Sequence, residues 1–187
     1  MELKNFYLDK DRIIFMVIDV QEALAAAMKP GVIKDVLRNI RLLIEVAKAF
    51  ELPILYTEQY PKGLKRTVEP IREILGSFEA VEKVTFSCLR DEAFMRKLSD
   101  HRLNQAVVMG METHVCVFQT VLDLLSRGYG VHVPRDAVCS RVKQNWMTGL
   151  SLMERAGALI TSAETIAFQL LERAGTETFR ALAPLLK

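Results

Sequence analysis

The sequence predicts an α/β protein in which a parallel sheet of six strands lies between two layers of helices. Three observations carry that prediction. Short apolar runs alternate with amphipathic stretches along the chain. Half of the 187 residues are apolar, enough for a sizeable core, and the length suits one domain over 1–187. No repeat, low-complexity tract or linker interrupts the alternation.

The elements follow in order. "RIIFMVID" (Arg12–Asp19) is a buried strand, rich in Ile and Val and too short for a helix. Ile33, Val36, Leu37, Ile40, Leu43, Ile44 and Ala47 recur at helical spacing and predict a helix from Ile33 to Phe50. Pro53 opens "PILYTE", the second strand. A loop containing Pro61, Gly63 and Pro70 leads to "FEAVEKVTF", a third strand ending near Lys83 or Thr85. Asp91 caps a short helix to Leu98. "QAVVMG" is the fourth strand, and a helix from Thr113 to Arg127 ends at Gly128. "GVHVP", a helix from Gln144 to Arg155, and "GALIT" complete the alternation. "TSAE" matches a capping box, Thr161 with Glu164, that starts a helix to Arg173. A last amphipathic helix begins near Thr176.

Composition excludes several classes. The formal net charge is +2, and Lys and Arg are spread along the chain, so no nucleic-acid patch is expected. No segment reaches the roughly 20 apolar residues that span a bilayer. "MELKNFYLDKDR" lacks the apolar core of a secretory signal, and three widely spaced cysteines make no disulfide framework. A cytoplasmic protein acting on a small molecule is the expectation. No CxxC, HExxH, GxGxxG or Walker A loop occurs, so neither a metal nor a cofactor is expected.

In open α/β sheets, sites form beyond the carboxyl ends of the strands. Asp19 ends the first strand, Thr57–Gln59 the second and Lys83 the third, while Gly110–Cys116 follows the fourth. A carboxylate, a cation and a thiol thus meet on one edge. A helix N-terminus and a nearby Lys favour the thiolate of Cys116, whereas an adjacent Asp opposes ionisation and can accept the proton. Position alone leaves a second reading open for each: Cys116 as a buried apolar side chain, Asp19 as a turn cap, Lys83 as a solvated charge. His114 lies two residues from Cys116 and so does not face it on a helix. Cys88 and Cys139 read as structural.

The ordered set "VIDVQ" (Val17–Gln21), "EKVTFSC" (Glu82–Cys88) and "GMETHVCV" (Gly110–Val117) resembles the isochorismatase-like cysteine hydrolases. "YTEQYPKGL", "DAVCSR" and "TSAETIAFQLL" extend the resemblance over nearly the whole chain, which is most similar to the subgroup with the "ETHVC" form of the cysteine motif. The resemblance implies a Rossmann-like three-layer fold with strand order 3-2-1-4-5-6. It implies an Asp19–Lys83–Cys116 triad, a cis peptide at Met111–Glu112, and an oxyanion hole from the backbone N–H groups of Glu112 and Cys116. It also implies a thioester route for a small amide or related C–N bond.

Gln21, Leu24, Gln59 and Thr113 are candidate pocket residues. Metal-dependent nicotinamidases of the superfamily carry an Asp-x-His pair after the second strand. Here Thr57–Tyr60 contains no His, so no catalytic metal is implied. Leu24 replaces an aromatic residue of many amidohydrolase members. True isochorismatases have Gly in place of the nucleophile, so Cys116 points to acyl chemistry. The family forms dimers or larger assemblies, with Leu182, Leu185 and Leu186 available either to an interface or to their own domain. Two other functions stay open: a vestigial fold retained as a binding or scaffold module, and a redox sensor pairing Cys116 with Cys88 or Cys139.

Overall fold

A computed structural model describes residues 3–186. Ile13–Ile18 forms β1, with all six side chains buried, which requires helices on both faces of the sheet. A short helix, α1 (Glu22–Ala26), precedes the long α2 (Pro30–Ala49). Next come β2 (Ile54–Gln59), α3 (Pro61–Leu64), α4 (Glu69–Leu75) and β3 (Ala80–Lys83). After α5 (Glu92–Ser99) and β4 (Gln105–Met111), a π-helical turn over Thr113–Val117 leads into α6 (Phe118–Ser126). The chain closes with β5 (Gly130–Pro134), β6 (Val138–Cys139), α7 (Lys143–Ala156), β7 (Leu159–Thr161), α8 (Ala163–Leu171) and α9 (Glu177–Leu182).

All pairings among these strands are parallel, in the order β3-β2-β1-β4-β5-β7. The main order is the expected one, but the sheet has seven strands rather than six. The extra strand, β6, pairs with the carboxyl end of β4 through Gly110–Val138 and Met111–Cys139. Two residues are too few to show a period in sequence.

One core cluster packs α2, α4, α8 and α9 on one face, around Phe15, Ile40, Leu43, Ile71, Ile166 and Leu170. The other packs α5, α6 and α7 on the opposite face, around Met16, Ile18, Phe94, Val121 and Met153. Leu182 joins the first cluster, with Leu185 and Leu186 packed against it. These leucines therefore serve their own sheet. No helix among the described residues is long and apolar enough to cross a membrane.

Local departures have local causes. The expected loop at 61–70 holds α3 and α4, with Pro61 and Pro70 in their first turns, where a missing N–H leaves no intrahelical bond unmade. For the same reason α2 starts at Pro30, ahead of Ile33. The cap of α8 is Ser162, whose side chain accepts the Thr165 N–H, because Thr161 is the last residue of β7. Asp91 and Thr176 cap α5 and α9 with their side chains.

Gly110 shows how tightly β4 lies on β1. Its φ is +121°, and a Cβ there would collide with the Ile18 carbonyl.

Candidate active site

Asp19 leaves β1 in the left-handed region, with φ 51°. Its N–H donates to the Thr57 carbonyl at 3.2 Å, and its own carbonyl accepts the Gln21 N–H at 2.8 Å. The side chain is wholly buried. Thr57, at the matching level of β2, donates its hydroxyl to Asp19 Oδ1 at 2.6 Å. Lys83, the last residue of β3, donates Nζ to Asp19 Oδ2 at 2.7 Å, and both side chains are 0% exposed.

Lys83 Nζ also donates to Gln59 Oε1 at 2.7 Å and to the Thr85 carbonyl at 3.2 Å. The ammonium is therefore surrounded by acceptors. Burial alone would lower its pKa, but the Asp19 carboxylate and the other acidic groups reverse the direction and raise it.

Cys116 lies in the π-helical turn and is 5% exposed. Burial pushes its thiol well above the ordinary range, and the Asp19 charge and hydrogen bond push the same way, opposed by Lys83. The resting group is thus a protonated thiol beside a carboxylate. The thiolate favoured by a helix terminus does not describe it, because burial and Asp19 outweigh that influence. Cys88, read as structural, is fully buried with its Sγ 3.9 Å from Thr57 Oγ1, and burial raises its pKa to about 11.

The remaining sequence candidates divide. Gln59 positions Lys83 with its carbonyl oxygen and donates Nε2 to the Val84 carbonyl. Gln21 has no polar atom to spare: Nε2 donates to the Gln59 and Lys65 carbonyls, and Oε1 accepts the Gln59 N–H. It braces the ends of β1 and β2 rather than facing a pocket. Leu24 is half-buried against the α2-side cluster. Thr113 is fully buried, and its Oγ1 has no partner among the described residues.

The Met111–Glu112 peptide is cis. The Glu112 carboxylate accepts the Arg141 N–H at 3.0 Å and its Nε–H at 3.1 Å.

Near the end of β2, Glu58 is buried and fully engaged by Arg66 and by the backbone and side chain of Thr67. Burial would raise its pKa, but these donors hold it below the usual value. Among the described residues, no three His, Cys, Asp or Glu side chains converge as a metal site. Sequence reasoning missed two supporting residues, Thr57 as the donor to Asp19 and Asn145 as a partner of the turn that carries Cys116. His114 Nδ1 lies 3.0 Å from Ser140 Oγ, and its Nε2 lies 3.3 Å from Asn145 Nδ2. The ring thus ties the turn to α7 instead of reaching Cys116.

The isochorismatase domain matches residues 14–165. This chain belongs to the isochorismatase family. Isochorismatase family protein 1A of Dictyostelium discoideum is 37% identical over 155 residues, covering 81% of this chain and 75% of that protein. Isochorismatase domain-containing protein 1 of Salmo salar is 33% identical over 93% of this chain and 60% of its own length. Among solved structures, the MAR1 ribonuclease of Caenorhabditis elegans superposes with a TM-score of 0.88 at 32% identity, over 96% of this chain and 92% of that one. The YcaC product of Escherichia coli, described as an octameric hydrolase of unknown specificity, shares the fold at a TM-score of 0.87 and 22% identity, over 96% of this chain and 88% of that one. This isochorismatase-family chain therefore carries a hydrolase fold, with its buried carboxylate–ammonium pair at the strand ends.

Proposed function

We propose that the protein is a metal-independent cysteine hydrolase of a small amide or related C–N bond, with Asp19, Lys83 and Cys116 as its triad. The observation that carries this reading is the Asp19–Lys83 pair, 2.7 Å apart with both side chains wholly buried, beside the Cys116 thiol. Burying two charges is costly, and a hydrophobic pair of similar size is often at least as stable. A reaction that needs a desolvated base supplies a reason for it.

Asp19 accepts the Cys116 proton as the thiolate attacks the carbonyl carbon. The backbone N–H groups of Glu112 and Cys116 meet the tetrahedral oxyanion. Asp19 returns the proton to the leaving amine, leaving a thioester. It then deprotonates water for attack on the thioester, which releases the acid and restores the thiol. Lys83 remains protonated throughout and holds the Asp19 carboxyl in place through its Nζ–H bond to Oδ2. Thr113 Oγ1, buried and without a partner among the described residues, is available to hydrogen-bond the substrate.

The lack of a metal in the scheme rests on the donor set. Thr57, Glu58 and Gln59 are each committed to Asp19, Thr67 with Arg66, and Lys83, respectively. Homo-oligomeric assembly belongs to the same proposal. Tyr60, Val84 and Phe86 are exposed on the segments flanking Lys83, and YcaC supplies an oligomeric precedent in the same fold.

The test is a panel of small amides and ureides, with a short RNA as a competing arm, run on the wild type and on Cys116→Ala, Asp19→Asn and Lys83→Met. Turnover of an amide by the wild type, an acyl mass adduct on the Cys116 peptide after acid quench, and a loss of at least about 10³-fold in every variant are expected. RNA cleavage that survives Cys116→Ala, or amide turnover that does, overturns the reading. An inert panel together with unchanged behaviour of Cys116→Ala in cells favours the scaffold alternative.

A further inference from the structure

A cavity opens at the carboxyl edge of the sheet, between the start of α2, β6 and the start of α7. Its volume is about 400 Å³, inside the roughly 300–1,000 Å³ of small-molecule sites. Asp19, Lys83 and Cys116 do not line it. Glu112 connects the two regions: it precedes the turn that carries Cys116, and its carboxylate is held by Arg141 of the cavity wall.

The body of the cavity is apolar, with Val32 and Val36 from α2, Val138 and Cys139 from β6, and Trp146 from α7. The indole is fixed in place. Its Nε1–H donates to the Val138 carbonyl at 3.1 Å and the Arg135 carbonyl at 3.3 Å, and the Arg135 guanidinium lies 5.3 Å from the ring centroid. A flat, immobilised ring next to aliphatic side chains suits a ring-sized apolar body.

The rim is cationic. Lys29, Arg135, Arg141 and Lys143 face Asp35 and Asp136. Two of these six are already engaged. Arg141 pairs with Glu112, and Asp136 Oδ1 accepts the Ala163 N–H at 2.8 Å, at the start of α8. Among the described residues, none of Lys29, Arg135 and Lys143 is held in an ion pair. Three cations therefore stand against the two carboxylates of Asp35 and Asp136, a surplus of one positive charge. Such a surplus beside an apolar floor is complementary to one negative group on an apolar body.

We propose that this cavity is a binding site for a small organic anion, with its ring against Trp146, Val36 and Cys139 and its charged group directed to Arg135, Lys143 and Lys29. The site is separate from the triad and does not depend on the proposed hydrolysis.

Trp146 is the only tryptophan in the chain, so its indole N–H gives a single cross-peak in a ¹⁵N-correlated NMR spectrum. The full chain is titrated with 2-naphthoate and, separately, with the uncharged 2-naphthalenemethanol. A saturable shift of that peak is expected, with the carboxylate binding at least tenfold more tightly than the alcohol. Arg135→Ala combined with Lys143→Ala removes the difference; both side chains are exposed, so the fold is retained. Val32→Phe narrows the cavity from its exposed side and weakens both ligands.

Cys116→Ser leaves the naphthoate affinity unchanged, because the thiol lies outside the cavity. Absence of a saturable shift, equal affinity for the two ligands, or loss of binding in Cys116→Ser overturns the proposal. The Arg135→Ala/Lys143→Ala and Val32→Phe variants leave the triad intact, so failure here is distinct from failure of the hydrolase reading.

Discussion

Asp19 holds opposite consequences for the reactivity of Cys116 and for its use. Its carboxylate adds to burial in keeping the thiol protonated, so wild-type alkylation by iodoacetamide climbs with pH and shows no plateau near the ordinary thiol value of about 8.5. Asp19→Asn removes that charge and leaves the Lys83 cation unopposed, so the thiol pKa falls. Cys116 labelling at pH 8 should then accelerate several-fold while turnover is lost, which peptide mass spectrometry and the amide assay resolve together. Cys88 and Cys139 are internal controls, since burial holds them at about 11 and about 12.

Lys83→Met is a different kind of lesion. It strands a buried carboxylate whose remaining side-chain hydrogen bonds come from Thr57 and the Cys116 thiol. The expected cost is about 3–5 kcal/mol in urea unfolding at neutral pH.

Helix α7 acts as a clamp on the turn that carries Cys116. Gly149 lets its backbone come so close that an added Cβ would lie 3.0 Å from the Thr113 carbonyl oxygen and 3.1 Å from His114 Cα. One turn earlier, Asn145 meets His114. Gly149→Ala improves helix propensity, so a purely local account predicts added stability. The packing predicts the reverse for function: the turn must shift, and kcat should drop at least tenfold, with helical circular dichroism preserved. Asp91→Ala is the matched control. It removes the side-chain cap of α5, which holds the Ala93 and Phe94 N–H groups, and should cost about 1 kcal/mol of stability while leaving turnover per folded molecule unchanged.

The sheet separates two apolar clusters and also buries His132, on β5 between β4 and β7. Its Nε2 has no partner among the described residues, and burial lowers its pKa to about 4. Between the ordinary value of about 6.5 and that figure, the unfolded chain binds a proton that the folded chain does not. Stability is therefore full above this window and is lost as pH falls through it, by about 3 kcal/mol in total. The midpoint of urea unfolding, measured from pH 7 to pH 4, should fall steeply for the wild type and less steeply for His132→Phe.

What could be read along the chain was whatever neighbours in sequence decide. Apolar runs marked the central strands because a doubly covered strand leaves its composition little choice. Asp91 could be recognised as a cap because a cap bonds to N–H groups two or three residues on. The strand ends then pointed to Asp19, Lys83 and Cys116, and the family motifs ordered them. Pro61 and Pro70 misled, since proline marks a loop and a first helical turn equally well. β6 was invisible because two residues become a strand only when β4 offers its edge. The bracing by Gln21 joins atoms 38 positions apart, and the Thr57 bond to Asp19 spans the same interval; no local pattern encodes either. The protonation of Cys116 and the cation-rimmed cavity beside Trp146 belong to the same class. Each depends on burial and on which charges packing brings together, and those are properties of the folded arrangement alone.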